Sequence, residues 1–209
     1  MAIIDRIRAA RLLPVVVLER AEDAVPLARA LLAGGLDVAE VTFRSDAAAE
    51  SIARIAQQVP DMLIGAGTVL TPAQVDLAVA SGARFLVTPG YNPGVVARAK
   101  ASGVAIVPGI NNPTGVETAM AAGLSLVKFF PAEPTGGVPF LKALTGPYGG
   151  MEFIPTGGIS TANLKTYLAL KAVVACGGSW MVDPALIRAG DFDRITQLTA
   201  EAVALARSA

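Results

Sequence analysis

Lys128 sits in the run Leu126-Val127-Lys128-Phe129-Phe130-Pro131, where a lone ammonium is costly to bury unless its chemistry needs burial. The other four lysines, Lys100, Lys142, Lys165 and Lys171, fall in segments with helical spacing or at helix ends, where a solvated amine is ordinary. Side chains alternate along a strand, so Leu126, Lys128 and Phe130 share one face and Val127 and Phe129 the other. In the run from Val38 to Arg44 the same rule groups Val38, Glu40, Thr42 and Arg44 against Ala39, Val41 and Phe43. The wholly apolar faces suit packing against helices, so the spacing predicts that Lys128, Glu40 and Arg44 point into one interior. An unprotonated lysine amine there attacks a carbonyl carbon and forms an imine, while a carboxylate carries protons. Burial and a neighbouring cation favour a neutral amine in general, and an ionised carboxylate opposes it; Arg44 and Glu40 are read as those two influences. A structural ion network of the same three residues competes with this reading. Desolvation offsets most of the Coulombic gain of buried pairs, so three charges stabilise an interior poorly, and reactivity explains them better.

Two glycine-rich segments follow late in the chain, Pro155-Thr156-Gly157-Gly158-Ile159-Ser160 and Gly177-Gly178-Ser179-Trp180. Glycines let backbone N–H groups approach an anion, Ser179 adds a hydroxyl, and a helix starting near Ser160 to Ala162 would add its dipole, a combination that suits phosphate. Tight turns are the plainer use of the same glycines. Gly65-Ala66-Gly67-Thr68 resembles the start of a dinucleotide-binding loop, but Leu70 stands where its third glycine belongs, which excludes that site. The Thr68 hydroxyl either faces the same interior as Lys128 or bonds its own backbone in a turn.

Elements must hold these groups together. Apolar, often β-branched runs recur at Leu12 to Leu18, Val38 to Phe43, Leu63 to Val69, Phe85 to Pro89, Ala105 to Ile110, Leu126 to Pro131, Glu152 to Thr156 and Val173 to Gly178. Each is followed by a segment with helical spacing, which reads as successive βα units. Asp23 is placed to cap the helix over residues 24–33, and Gly34-Gly35, Ser81-Gly82, Ser102-Gly103 and Ala122-Gly123 to stop helices. Eight such units predict an α/β chain folded as a closed (β/α)8 TIM barrel, with an extra N-terminal helix before Leu12 covering its bottom. A doubly wound open sheet is the alternative. No linker or low-complexity tract divides residues 1–209, so one domain is expected.

Acidic and basic residues balance at 17 each, without a basic run, so neither nucleic acid nor a membrane surface is expected as partner, and a small molecule is. The chain has no histidine and a single cysteine, Cys176. The usual zinc sites, an internal disulfide and histidine general bases are therefore excluded, and no metal or cofactor is expected. Charges at Asp5 and Arg6 interrupt any apolar leader, and no stretch is long and apolar enough to span a bilayer, so a cytoplasmic enzyme is expected. The 53% hydrophobic content fits parallel strands covered on both faces, with a surplus for a subunit interface.

Glu40-Val41-Thr42-Phe43-Arg44, Gly65-Ala66-Gly67-Thr68-Val69, Thr88-Pro89-Gly90, Val127-Lys128-Phe129-Phe130-Pro131-Ala132-Glu133, Pro155-Thr156-Gly157-Gly158-Ile159 and Gly177-Gly178-Ser179-Trp180 together resemble the 2-keto-3-deoxy-6-phosphogluconate (KDPG) aldolases in order and spacing. The resemblance spans nearly the whole chain. It implies a class I, metal-free lyase of the Entner-Doudoroff pathway, a homotrimer that cleaves a phosphorylated 2-keto-3-deoxy sugar acid to pyruvate and glyceraldehyde 3-phosphate. 4-Hydroxy-2-oxoglutarate is a second substrate to test. By motif, Lys128 would be the Schiff-base lysine and Glu40 the general acid and base. Arg44 and Thr68 would hold the pyruvate carboxylate, and Pro89 and Phe130 would shape the pocket. Gly157, Gly158, Gly178 and Ser179 would bind phosphate, with Thr156 and Gly177 beside them. The loop Gly109-Ile110-Asn111-Asn112-Pro113-Thr114-Gly115 departs from the family form, which carries a small hydroxylated residue near Asn112 and often a glutamate at Gly115. That departure bears on the aldehyde half of the substrate. Two other classes compete: a phosphate-binding isomerase or synthase that uses Lys128 only electrostatically, and a non-catalytic assembly protein.

Overall fold

Each of the eight apolar runs contains a strand in the computed structural model, which describes residues 3–209. The strands are β1 (Leu12–Val16), β2 (Val38–Thr42), β3 (Leu63–Gly67), β4 (Phe85–Val87), β5 (Ala105–Val107), β6 (Gly109–Ile110), β7 (Leu126–Phe129), β8 (Glu152–Pro155) and β9 (Cys176–Gly178). The helices are α1 (Ile3–Ala10), α2 (Ala24–Ala33), α3 (Ala48–Gln58), α4 (Pro72–Ala80), α5 (Pro93–Ala101), α6 (Pro113–Ala121), α7 (Gly137–Thr145), α8 (Leu164–Leu168), α9 (Pro184–Ala189) and α10 (Phe192–Arg207).

The closed eight-stranded TIM barrel expected from the repeat is not formed. The strands make two parallel sheets, one of six in the order β5-β4-β3-β2-β1-β9 and one of three in the order β6-β7-β8. Pro108 is the cause at one seam. Lacking an N–H, it interrupts the fifth run, so β5 pairs with β4 while β6 pairs with β7. At the other seam β8 meets the last run only through isolated bridges, Phe153 to Val173 and Thr156 to Gly177.

The extra N-terminal helix is present and touches both sheets. On α1, Arg6 reaches Asp37 just before β2 at 2.8 Å, and Arg8 reaches Glu152 at the start of β8 at 2.6 Å. Local sequence starts four of the other helices in a recurring way, with a polar cap followed by proline. Thr71 and Gln74 form a reciprocal capping box on α4, while Asn92, Asn112 and Asp183 accept first-turn N–H groups of α5, α6 and α9. Asp23 does not cap α2 as expected: its carboxylate pairs with Arg20 at 2.9 Å instead. The stops behave as read, with Gly35, Gly82, Gly103 and Gly123 all at positive φ after α2, α4, α5 and α6.

Alternation sorts the strand side chains as predicted. Val16, Ala39, Val41 and Ile64 meet Leu27 and Leu31 of α2 and Ile55 of α3, and Phe129 stacks on Phe140 of α7 with ring centroids 5.9 Å apart. One apolar core runs from Ile7 to Ala206.

Cys176 lies wholly inside that core, where burial pushes its thiol up from 9.0 to about 12, with Arg11 acting weakly the other way. The folded state then holds this proton more tightly than the unfolded chain, so the contribution is intact below about pH 9 and is lost as pH rises toward 12. Iodoacetamide at pH 8 should leave Cys176 unmodified in the native protein and alkylate it in urea. Cys176→Ala should flatten the fall in the urea midpoint between pH 9 and 11.

Candidate active site

Lys128 and Glu40 reach one another from different sheets. Lys128 stands on β7 and Glu40 on β2, 88 residues apart, with Lys128 Nζ donating to Glu40 Oε1 at 3.3 Å. Lys128 is 6% exposed and Glu40 1%, whereas the other four lysines are all exposed. A charge-assisted N–H to carboxylate contact is usually 2.7–2.9 Å, so this pairing is loose and does not lock the amine. Glu40 Oε2 is buried with no hydrogen-bond partner among the described residues, which leaves one acceptor for a proton-bearing group brought into the site. The amine also lies 5.3 Å from the centre of the Phe130 ring.

Glycine makes room for the carboxylate. A Cβ on Gly67 of β3 would lie 3.0 Å from Glu40 Oε2, so a larger residue would push against the Glu40 side chain. Thr42, on the same face, is tied down by donating to the Val16 carbonyl at 2.9 Å.

Above this pair, at the carboxyl ends of the strands, Arg44, Phe130, Thr156, Gly157, Gly158, Gly177, Gly178 and Ser179 line one cavity of about 170 Å³ with Val15 and Ile159. The two glycine segments and Arg44 therefore do meet. Gly157 and Gly158 take φ of +101° and +80°, a region open to glycine and strained for other residues. At Gly178 a Cβ would overlap the Trp180 ring, and at Gly177 it would overlap the Thr156 hydroxyl. Arg44 is exposed and forms no salt bridge among the described residues. The buried three-charge network is thus absent: the pair is Lys128 and Glu40, and exposed Arg44 lines the cavity above.

Pro89 and Phe130 line a second, larger cavity of about 620 Å³ with Tyr91, Asn111 and Asn112. Phe130 borders both spaces. In the departing loop Asn112 caps α6, accepting from the Gly115 N–H at 2.8 Å, and a Cβ on Gly115 would lie 2.9 Å from Ile110 Cβ. Asparagine and glycine there serve the helix start. Thr68 follows β3 with φ of +56°, an uncommon conformation for a β-branched residue and one that recurs at functional sites. It borders neither cavity, and its hydroxyl makes no backbone bond among the described residues.

The helix expected to start near Ser160 begins later, at Leu164. Asn163 takes its place at the loop, donating to the Gly158 carbonyl and accepting from the Ser160 N–H, each at 2.9 Å. Across the loop the Glu133 N–H donates to the Gly157 carbonyl at 3.0 Å, and the Tyr167 hydroxyl donates to the Glu133 carboxylate. Burial and that carboxylate hold the Tyr167 phenol well above its usual ionisation range. Residue types alone gave no role to Asn163 or Tyr167. The spacing of Asn163 three residues after Ser160 was their one available signal.

The family model described as KDPG and KHG aldolase matches residues 3–198. A 2-dehydro-3-deoxy-phosphogluconate aldolase of Treponema pallidum is 53% identical over 199 residues, 95% of each chain. The KHG/KDPG aldolase of Escherichia coli is 46% identical over 190 residues, 91% of this chain and 89% of the other. Among solved structures, a KDPG aldolase from Legionella pneumophila, with pyruvate captured at low pH as a covalent carbinolamine intermediate, superposes with a TM-score of 0.93. It is 38% identical, and the match covers 96% of this chain and 98% of that one.

Removing one partner of a buried ion pair leaves the other uncompensated, at a cost of about 3–5 kcal/mol, while replacing both with apolar residues is often neutral or stabilising. Urea unfolding should rank Glu40→Leu alone below the wild type, and Glu40→Leu with Lys128→Met at or above it. A double variant less stable than the single one would contradict that ranking.

Proposed function

The chain belongs to the KDPG and KHG aldolase family, and from that premise we propose that it is a class I aldolase cleaving KDPG to pyruvate and glyceraldehyde 3-phosphate. The observation that carries the reading is the loosely paired, buried Lys128 amine 3.3 Å from Glu40, beneath a cavity lined by Arg44 and the glycine loops.

Neutral Lys128 attacks C2 of the keto acid, and loss of the carbonyl oxygen as water, with uptake of one proton from solvent that the final hydrolysis returns, leaves a protonated imine. The imine withdraws the electron pair of the C3–C4 bond as Glu40, through a water, takes the C4 hydroxyl proton. The aldehyde departs and an enamine of pyruvate remains on Lys128. Glu40 returns its proton to C3, and hydrolysis of the imine releases pyruvate and the free amine. One carboxylate alternating as base and acid suits a chain without histidine.

Arg44 and Thr68 hold the carboxylate end of the substrate, and Pro89 and Phe130 wall the pocket. Thr156, Gly157, Gly158, Gly177, Gly178 and Ser179 receive the phosphate. The positive-φ glycines of the 170 Å³ cavity, with Arg44 beside them, support an anion there; Thr68 is assigned by motif alone. The reading with an electrostatic lysine is not favoured, because the similar Legionella pneumophila protein holds pyruvate covalently. Residues 1–209 act as one catalytic domain, a homotrimer working in the cytoplasm within the Entner-Doudoroff pathway. No helix among the described residues is long and apolar enough to cross a membrane. Exposed Leu70, Leu77, Val79 and Met120 offer apolar surface for assembly.

Pyruvate release from KDPG, its galactonate epimer and 4-hydroxy-2-oxoglutarate, assayed side by side, should be fastest with KDPG and absent in Lys128→Ala. Full turnover by Lys128→Ala would end the proposal. Glu40→Gln should slow cleavage by about a hundredfold or more. Ser179→Ala should raise KM roughly tenfold for phosphorylated substrates and leave KM for 4-hydroxy-2-oxoglutarate unchanged; equal effects on both would remove Ser179 from phosphate binding.

A further inference from the structure

The two reacting groups stand on separate sheets, so something must fix the distance between the sheets at the seam that Pro108 opens. β4 and β5 pair up to Val87 and Val107, and the Thr88 N–H donates to the Val107 carbonyl at 3.2 Å. In a regular parallel ladder the next bond would run from the Gly109 N–H to the Thr88 carbonyl. Gly109 instead donates to the Thr88 hydroxyl at 3.3 Å, and that hydroxyl donates onward to the Gly90 carbonyl at 2.6 Å. Thr88 is 1% exposed, so water does not compete for these bonds.

Gly109 is the β6 residue in register with Lys128, and the Lys128 N–H donates to the Pro108 carbonyl at 2.9 Å. The backbones are close here: a Cβ on Gly109 would lie 2.2 Å from the Pro89 carbonyl oxygen. A single side chain thus links the end of β4, in the sheet that carries Glu40, to the backbone beside Lys128 in the other sheet.

We propose that Thr88 is a positioning residue for the aldol reaction: its hydroxyl replaces a missing ladder bond at the seam and sets the spacing of Lys128 from Glu40. This rests on the imine mechanism above. Imine accumulation needs Lys128, whereas cleavage and exchange of the pyruvate C3 protons need Lys128 and Glu40 in register. A misplacement of a fraction of an ångström costs those steps far more than it costs adduct formation.

Thr88→Val keeps the side-chain shape and removes the hydroxyl. With saturating pyruvate, the end-point adduct fixed by borohydride should match the wild type per folded molecule. C3 proton exchange in D₂O and kcat for KDPG should fall roughly ten- to a hundredfold, and Thr88→Ser should restore both. Equal exchange in Thr88→Val and the wild type would overturn the inference, as would equal losses in adduct and exchange, which mark a purely structural role. Should Thr88→Val fail to fold, Thr88→Ser and Thr88→Cys decide, since they are alike in size and differ in hydrogen bonding: serine should exchange several-fold faster than cysteine, and equal rates would overturn the inference. Absence of any adduct in the wild type would instead defeat the imine mechanism itself.

Discussion

A lysine and a glutamate must be held within reach of each other inside an apolar interior, yet neither sheet supplies both. Glu40 comes from the six-stranded sheet and Lys128 from the three-stranded one. The rest of the molecule is arranged around that requirement. Helices bury the outer faces, so strand alternation sends the polar residues inward. At the amino ends of the strands, α1 ties both sheets through Arg6 and Arg8. At the carboxyl ends the seams carry threonines, Thr88 beside β6 and Thr156 bridged to Gly177.

Small residues decide how close the chemistry can come. Gly67 lets the Glu40 carboxylate lie against β3, and Gly177 and Gly178 yield their side-chain space to Thr156 and Trp180. The Gly157-Gly158 turn adopts a backbone that most residues resist and is then clamped from both sides, by Asn163 and by Glu133. A loop held in advance in this way would give the proposed phosphate its donors without an ordering cost at each turnover. The loosely held lysine has a related logic, since a tight, fully satisfied pair would stabilise the ammonium and oppose attack on a carbonyl.

Much of this was legible in residue order because period-two alternation survives any tertiary arrangement. It pointed Lys128 and Glu40 into one interior and sent Phe129 to the helices, while the apolar, β-branched runs marked where strands form. The barrel was not legible. Closure depends on continuous ladders between neighbouring strands, and one prolyl nitrogen at position 108 breaks a ladder without disturbing the hydrophobic pattern that suggested it. Arg44 was misplaced for a similar reason: β2 ends at Thr42, so alternation no longer governs a residue two positions beyond. Asp23 shows the limit of cap prediction, because Arg20 competes for the carboxylate. The cap-proline pairs at Thr71-Pro72, Asn92-Pro93, Asn112-Pro113 and Asp183-Pro184 were available and would have fixed four helix starts.

The proposed reaction turns on one covalent bond between substrate and the buried amine. The most direct measurement is borohydride reduction in the presence of pyruvate, followed by peptide mapping of the modified chain by mass spectrometry. A single reduced pyruvate adduct on Lys128, with Lys100, Lys142, Lys165 and Lys171 unmodified, is the predicted result. An unmodified Lys128, or an adduct on one of the exposed lysines, would contradict the account.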